Sequence, residues 1–257
     1  MIQPKSISAQ LERERHANGV EWLTIGNGQR RNALSPETWG NIANWARDLG
    51  NDDSVHVAVI RGAAGDFCSG ADLDRWAVAR DDVVDGTFVA MEQAFAAVEA
   101  LPFPTIASIG GVALGAGCQL ALACDIRLIS DSARIGMPIV RLGILAPESF
   151  VARLIRAAGD QTACEMLLVG RSLDADLAVR RGLALCAVPM IDLPELTAQT
   201  ARQIAALPKS AVRAAKAAIS AGRQSTRESS QSFVDVEVFR RALAAKHSHP
   251  PFVSKPS

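Results

Sequence analysis

The most informative feature of the sequence is the small-residue run Gly115-Ala116-Gly117, which stands between two apolar segments. Residues 104–109 before it have the pattern of a buried strand, and residues 120–123 after it have that of an apolar helix. A strand, a tight turn and a helix N-terminus leave backbone N–H groups unpaired, and these favour a developing negative charge. Because the turn has almost no side chains, a ligand can approach its backbone closely. The segment predicts either such a site or only a close strand–helix crossing.

A second segment strengthens the first of these two interpretations. Residues 58–62 read as another apolar strand, and Phe67-Cys68-Ser69-Gly70-Ala71-Asp72-Leu73 follows it. Together, residues 57–72 and 106–125 resemble the crotonase superfamily, the enoyl-CoA hydratase/isomerase family. In that family a Gly-Ala-Asp motif and a Gly-Gly-Gly motif each supply one backbone N–H to an oxyanion hole, which holds the carbonyl oxygen of a coenzyme A thioester. By position, the resemblance assigns these two donors to Ala71 and Ala116.

The resemblance extends over most of the chain, from about residue 20 to about residue 220. It includes the motif Arg31-Asn32-Ala33-Leu34-Ser35 and continues through Pro138, Leu142-Gly143 and residues 178–183. It implies an α/β fold with a crotonase-type ββα spiral core and a helical C-terminal trimerisation region. On this basis we expect an acyl-CoA-binding core over residues 1–190, a helical region over residues 191–257, and a homotrimer or a hexamer built as a dimer of trimers.

Composition excludes several other classes of protein. The 257 residues carry 27 Lys plus Arg and 27 Asp plus Glu, so no charge excess suggests a nucleic-acid partner. The first 20 residues lack an apolar signal-peptide core, and the apolar runs are too short for a membrane span. The five cysteines show no metal-ligand spacing, which predicts no metal site and favours free thiols in a reducing cytoplasm. Nucleophilic roles for Cys68 or Cys118 are a minor alternative.

Local patterns predict several elements. Residues 20–25 read as a strand, and Ser35-Pro36-Glu37 as a helix start with an N-cap, a first-turn proline and an acid. A helix is expected over residues 91–101. From Thr162 onward nearly everything has helical periodicity, with residues 185–188 as an exception, and a last helix is expected over about residues 228–246.

The hydratases of the family use two glutamates to position water and to move protons at the acyl chain, one as base and one as acid. The corresponding positions here are Gln119 and Ile139. Gln119 can hold water or a carbonyl by hydrogen bonds but cannot transfer protons, and Ile139 can do neither. The sequence therefore argues against ordinary enoyl-CoA hydration.

A further departure from the family follows at residues 145–150. Small residues of relatives are replaced there by Leu145-Ala146-Pro147-Glu148-Ser149-Phe150, so Phe150 would fill space beside the acyl group if it faces inward. Glu148 falls one residue past the position at which some isomerases and a dehalogenase of the superfamily carry a catalytic aspartate. It is a candidate catalytic carboxylate, or simply an acid favoured in the first turn of a helix after Pro147.

The resemblance also implies which residues contact the ligand. Basic residues near Arg30, Arg31 and Arg75 meet coenzyme A phosphates in relatives, although exposed arginines are common, and the donor-loop neighbours Ser69, Asp72 and Leu73 belong to the same expected contact surface. The helix-spaced residues Trp76, Met91 and Phe95 either line an acyl tunnel or are plain core.

The sequence thus indicates an acyl-CoA-handling protein with no tightly bound cofactor, coenzyme A being part of the substrate or ligand. It is an enzyme, a lyase or isomerase, or a non-catalytic acyl-CoA-binding protein; a scaffold role is a third, weaker alternative.

Overall fold

The computed structural model describes residues 5–8, 10–16, 18–77 and 80–224, and these contain ten strands in two sheets. In chain order, β1 to β10 are Lys5–Ser8, Leu11–His16, Val20–Ile25, Val57–Gly62, Thr105–Ile109, Val112–Leu114, Ile126–Ser130, Arg134–Gly136, Ser172–Asp174 and Cys186–Val188. The larger sheet has the order β1-β2-β3-β4-β5-β7-β10, and the smaller has the order β6-β8-β9.

Strand direction divides the larger sheet into two parts. The strands β1, β2 and β3 pair antiparallel, whereas β3, β4, β5, β7 and β10 run parallel to one another. The apolar runs at residues 20–25, 58–62 and 104–109 are confirmed as β3, β4 and β5. Because parallel strands are covered on both faces, they read as continuous apolar runs, which is why the sequence shows them clearly.

Eight α-helices occur in the described residues. In chain order, α1 to α8 are Pro36–Gly50, Leu73–Ala77, Asp81–Glu99, Ala116–Ala123, Glu148–Leu168, Ala175–Arg180, Leu193–Ala205 and Lys209–Gln224. The predicted start of α1 is confirmed, because the Ser35 hydroxyl oxygen accepts a hydrogen bond from the Thr38 N–H at 3.3 Å. The prediction that a helix begins at residue 91 is wrong, since α3 already begins at Asp81.

Two layers of helices cover the sheet. Helices α1 and α3 pack against each other and against one face, where the indole of Trp39 meets the ring of Phe95 edge-on at 5.6 Å. Helix α7 covers the other face, so that Leu193 and Ala201 join a second core cluster with Val59 and neighbouring strand residues. The predicted α/β class is confirmed.

Only part of the helical region expected over residues 191–257 falls within the residues that the structure describes. Helices α7 and α8 form most of residues 191–224, while the helix expected over residues 228–246 lies outside the described residues. Ile191 and Leu168 expose 84% and 77% of their surface, but the trimer stays a prediction. Across the described ranges, no helix has the length and apolar content that a bilayer crossing requires.

Candidate active site

The two loops expected to carry the N–H donors lie side by side. The segment after β4 adds to the smaller sheet, where the Cys68 N–H donates to the Val112 carbonyl and the Leu114 N–H donates to the Cys68 carbonyl, both at 2.9 Å. A Cβ atom on Gly70, whose φ is +110°, would lie 3.3 Å from the Ala116 nitrogen. Glycine at this position therefore lets the two loops touch.

The N–H groups of Ala71 and Ala116 differ from the neighbouring N–H groups in their hydrogen bonding. Ala116 is the first residue of α4, so its N–H has no acceptor inside the helix. Next to Ala71, the Gly70 N–H donates to the Cys68 sulfur at 3.3 Å and the Asp72 N–H donates to the Leu34 carbonyl at 3.1 Å. Neither the Ala71 nor the Ala116 N–H has an acceptor in the described part of the chain. Both residues line the same cavity.

Asn32 holds the first donor loop in place. Its buried carboxamide donates to the carbonyls of Ala63 and Asp66 at 2.7 and 2.8 Å, and its oxygen accepts from the Gly28 N–H at 2.8 Å. The backbone beside it pairs with the donor loop, since the Leu34 N–H donates to the Gly70 carbonyl at 2.9 Å. Asn32 has a φ of 58°, a left-handed conformation that asparagine tolerates well. The sequence motif contained Asn32, but sequence reasoning gave it no role.

The cavity has a volume of about 510 Å³, which is within the usual range for a small-molecule site. Its lining consists of the two donor loops, a charged edge and a larger apolar part: Arg30, Ala33, Ser69, Gly70, Ala71, Asp72, Leu73, Asp74, Trp76, Phe88, Met91, Leu114, Gly115, Ala116, Met137, Pro138, Ile139, Leu142, Ile144 and Phe150. Of the candidate contact residues, Arg30, Ser69, Asp72 and Leu73 belong to this lining, whereas Arg31 does not.

The charged edge is a set of ion pairs on the surface. The Arg30 guanidinium donates to Asp72 at 2.7 Å and lies 3.1 Å from Asp74, and Arg75 lies 3.5 Å from both Asp72 and Glu37. The same residues border a second, polar cavity of about 680 Å³, which adjoins the first. Exposed pairs of this kind stabilise little, so a ligand can displace them at small cost.

Gln119 lies behind the cavity and not in its wall. It is fully buried, its nitrogen donates to the Phe150 carbonyl at 3.1 Å, and its oxygen accepts from Arg153 at 2.9 Å. The Arg153 guanidinium is also buried and binds Glu99 and Glu92, each at 2.9 Å. The carboxamide of Gln119 is thus engaged within the protein at both ends. Arg153 and its two glutamates were not identified from the sequence.

Of the two remaining positions for acid–base groups, only one borders the cavity. Ile139 is part of the apolar lining. Glu148 is the first residue of α5, and it is exposed and absent from the lining. This placement favours the interpretation of Glu148 as a helix-start acid.

The buried thiols near the donor loops do not have the properties of nucleophiles. Burial raises the pKa of Cys68 to about 12, and burial likewise raises the pKa of Cys118 to about 12. A nucleophilic cysteine needs a lowered pKa and access to solvent. The described residues also contain no cluster of His, Cys, Asp and Glu able to hold a metal ion.

Comparison with known proteins gives a consistent result. A family model described as Enoyl-CoA hydratase/isomerase matches residues 15–254. The probable enoyl-CoA hydratase echA8 of Mycobacterium bovis is 35% identical over 205 residues, 79% of each chain. The 2,3-dehydroadipyl-CoA hydratase of Escherichia coli is 36% identical over 197 residues, covering 77% of this chain and 76% of that protein.

Solved structures that resemble this chain belong to the same family as the relatives found by sequence. The crystal structure of an enoyl-CoA hydratase/carnithine racemase from Magnetospirillum magneticum matches with a TM-score of 0.81 at 31% identity, covering 88% of this chain and 85% of that one. An enoyl-CoA hydratase from Bacillus anthracis matches with a TM-score of 0.80 at 30% identity, covering 93% and 90%. The chain therefore belongs to the enoyl-CoA hydratase/isomerase family, within the crotonase superfamily.

Proposed function

We propose that this protein binds an acyl-CoA thioester with the carbonyl oxygen between the N–H groups of Ala71 and Ala116. The observation that carries the proposal is the pair of N–H groups without acceptors, on two touching loops that line one cavity. The coenzyme A arm would leave over the charged edge into the adjoining polar cavity, and the acyl group would enter the apolar part. The names of the relatives support the choice of a coenzyme A thioester as the ligand.

Two such donors stabilise a negatively charged thioester oxygen more than they stabilise the uncharged carbonyl of the bound ligand. A hydrogen bond to the ground-state carbonyl contributes about 0.5–1.5 kcal/mol net. The same donor contributes about 3–4 kcal/mol when aimed at the negative charge of an enolate or tetrahedral oxygen. The site is thus suited to stabilising negative charge on the thioester oxygen.

Proton transfer is the part of hydration that the cavity does not support. The described carboxylates that line the cavity are Asp72 and Asp74, and both are paired with Arg30 at its charged edge. Gln119 and Glu148 do not line it. We therefore propose that the protein holds acyl-CoA without hydrating it.

The second candidate function is that of a lyase or isomerase, which the names of the relatives favour. Such an enzyme needs a group that moves a proton beside the acyl chain. Asp72 follows the donor Ala71 directly and lines the cavity. Because its carboxylate is paired with Arg30 and Arg75, it would have to leave these partners in order to transfer a proton. Mass-spectrometric turnover against a panel of acyl-CoAs, beside calorimetric binding of the same panel, separates the two functions.

Replacing Ala116 by proline tests the binding mode. Proline is well tolerated at the first position of a helix, so Ala116→Pro removes one N–H donor while α4 is retained. We expect hexanoyl-CoA to bind roughly two- to tenfold more weakly, in line with the loss of one hydrogen bond. Isothermal titration calorimetry measures this change.

A matched ligand makes the result specific. Hexyl-CoA, a thioether that lacks the carbonyl, should lose much less affinity in the same variant, and Ala116→Ser, which keeps the N–H, should behave like the wild type more than like the proline variant. Equal affinity of the folded Ala116→Pro variant and the wild type for hexanoyl-CoA would count against the proposed hole.

A further inference from the structure

The cavity changes character along its length. Its charged lining residues, Arg30, Asp72 and Asp74, also border the polar cavity outside, and they therefore mark the edge where the two cavities join. Most of the wall beyond the donor loops is apolar, and six of its side chains are at most 8% exposed: Trp76, Phe88, Met91, Ile139, Ile144 and Phe150. A ligand that enters past the charged edge thus meets a hydrocarbon wall.

Three aromatic rings form a continuous part of that wall. The indole of Trp76 and the ring of Phe88 have centroids 5.2 Å apart, and the rings of Phe88 and Phe150 have centroids 6.3 Å apart. Phe150 is fixed from behind, since the ring of Phe95 packs against it at 5.6 Å and its carbonyl accepts a hydrogen bond from Gln119. Rings held in this way present faces and edges to a further ring at the distances that aromatic pairs prefer.

The apolar wall begins at the donor loops themselves. The γ2 methyl group of Ile139 lies 3.9 Å from the position that a Cβ on Gly115 would take, directly before Ala116. A carboxylate on the acyl chain placed against this wall would lose its water, and among the six apolar side chains named above the indole N–H of Trp76 is the single polar group. A hydrocarbon acyl group has no polar atom whose hydration would be lost there.

We propose that the acyl group of the bound thioester is uncharged and carries an aromatic ring, which packs against Trp76, Phe88 and Phe150. This inference rests on the proposed binding of an acyl-CoA and names the class of acyl group. It distinguishes the chain from its dehydroadipyl-CoA-hydrating relative, whose name indicates a dicarboxylic acyl group.

Calorimetric titration of the full chain with two matched ligand pairs tests the proposal. The first pair is 3-phenylpropanoyl-CoA against 3-(4-carboxyphenyl)propanoyl-CoA, and the second is hexanoyl-CoA against adipoyl-CoA. Within each pair the carboxylated ligand should bind at least about tenfold more weakly, because its charge is desolvated against a mostly apolar wall. 3-Phenylpropanoyl-CoA should bind more tightly than hexanoyl-CoA. A carboxylated ligand that equals its partner, or a hexanoyl-CoA that equals or exceeds the aryl ligand, would overturn the proposal.

Replacing one ring tests whether the aromatic side chains cause the preference for the aryl ligand. In Phe150→Leu we expect the affinity ratio of 3-phenylpropanoyl-CoA to acetyl-CoA to fall roughly two- to tenfold, the size of one aromatic contact. Phe88→Leu serves the same purpose if Phe150→Leu does not fold. Val89→Leu is the control, because Val89 is 57% exposed on the same helix as Phe88 and should leave the ratio unchanged. An unchanged ratio in folded Phe150→Leu and Phe88→Leu would contradict the proposal.

Failure of this inference differs from failure of the proposed function. If acetyl-CoA and hexanoyl-CoA bind with the Ala116→Pro dependence described above, but the aryl preference is missing, only the acyl class is wrong. If no thioester binds at all, the acyl-CoA function is wrong, and the acyl class falls with it.

Discussion

Replacing Arg153 by methionine is expected to lower the free energy of unfolding by about 3 kcal/mol, at the lower end of the cost of breaking a buried ion pair. The guanidinium is 2% exposed and serves Glu92, Glu99 and the Gln119 carboxamide together. Burial alone would lower the pKa of Arg153, but the hydrogen bonds and charges of Glu99 and Glu92 outweigh it, so the pKa lies above its usual value. The cost stays at the lower end because both glutamates keep some contact with solvent.

The measurement is chemical or thermal unfolding at one fixed protein concentration, since any assembly would make stability concentration-dependent. For a chain of this size, 3 kcal/mol corresponds to a Tm lower by about 6–12 °C. The control is Arg180→Met, which breaks an exposed pair with Asp176 and should change stability by less than about 1 kcal/mol. Equal stabilities of the Arg153 and Arg180 variants would show that the buried network does not hold α5 to α3.

Crotonyl-CoA hydration is expected at background level in the wild-type protein and also in Gln119→Glu. A glutamate at position 119 would lie 2.9 Å from Arg153, which would hold it as a buried carboxylate, and it would lose the hydrogen bond to the Phe150 carbonyl. Restoring the family's residue there does not place a base in the cavity wall, because Gln119 is not part of that wall. Ile139→Glu would put the second acid in apolar surroundings, which raise a carboxyl pKa and favour its neutral form.

The assay follows disappearance of the enoyl thioester, with a hydratase of the family as positive control. Glu148→Gln is the matched variant, because Glu148 is exposed and should not affect turnover or binding. Robust hydration by the wild type that survives Glu148→Gln would mean that an acid outside the described lining completes the site.

The sequence predicted those parts of the fold in which local pattern and burial agree. The strands β3, β4 and β5 are mostly apolar because the sheet is covered on both faces, and α1 begins with an N-cap residue that is recognisable in the sequence. The start of α3 was missed in a segment where Asp82, Asp85 and Gly86 have low helix propensity. That turn is helical since Val84 and Phe88 pack into the core, and tertiary packing outweighs local propensity.

For the site, the sequence supplied the residues that belong to motifs but not the contacts between distant segments. The small-residue turn and the family pattern pointed to Ala71 and Ala116 directly. Arg153 lies 34 residues from Gln119 and 61 from Glu92, so nothing in either neighbourhood indicates that they meet. The role of Asn32 likewise depends on carbonyls about thirty residues further on, at Ala63 and Asp66. Such partners become apparent only once the chain is folded.

The central claim is that two backbone N–H groups hold the thioester oxygen, and the vibration of that carbonyl tests it most directly. Hexanoyl-CoA labelled with ¹³C at the thioester carbonyl is bound to the protein, and isotope-edited infrared difference spectra report its C=O stretch. Two fixed donors weaken the C=O bond, so the frequency should fall below that of the ligand in water, and it should recover only part of the way in Ala116→Pro, in which the Ala71 donor remains. The same frequency in the saturated wild-type complex, in the saturated Ala116→Pro complex and in free solution would contradict the claim.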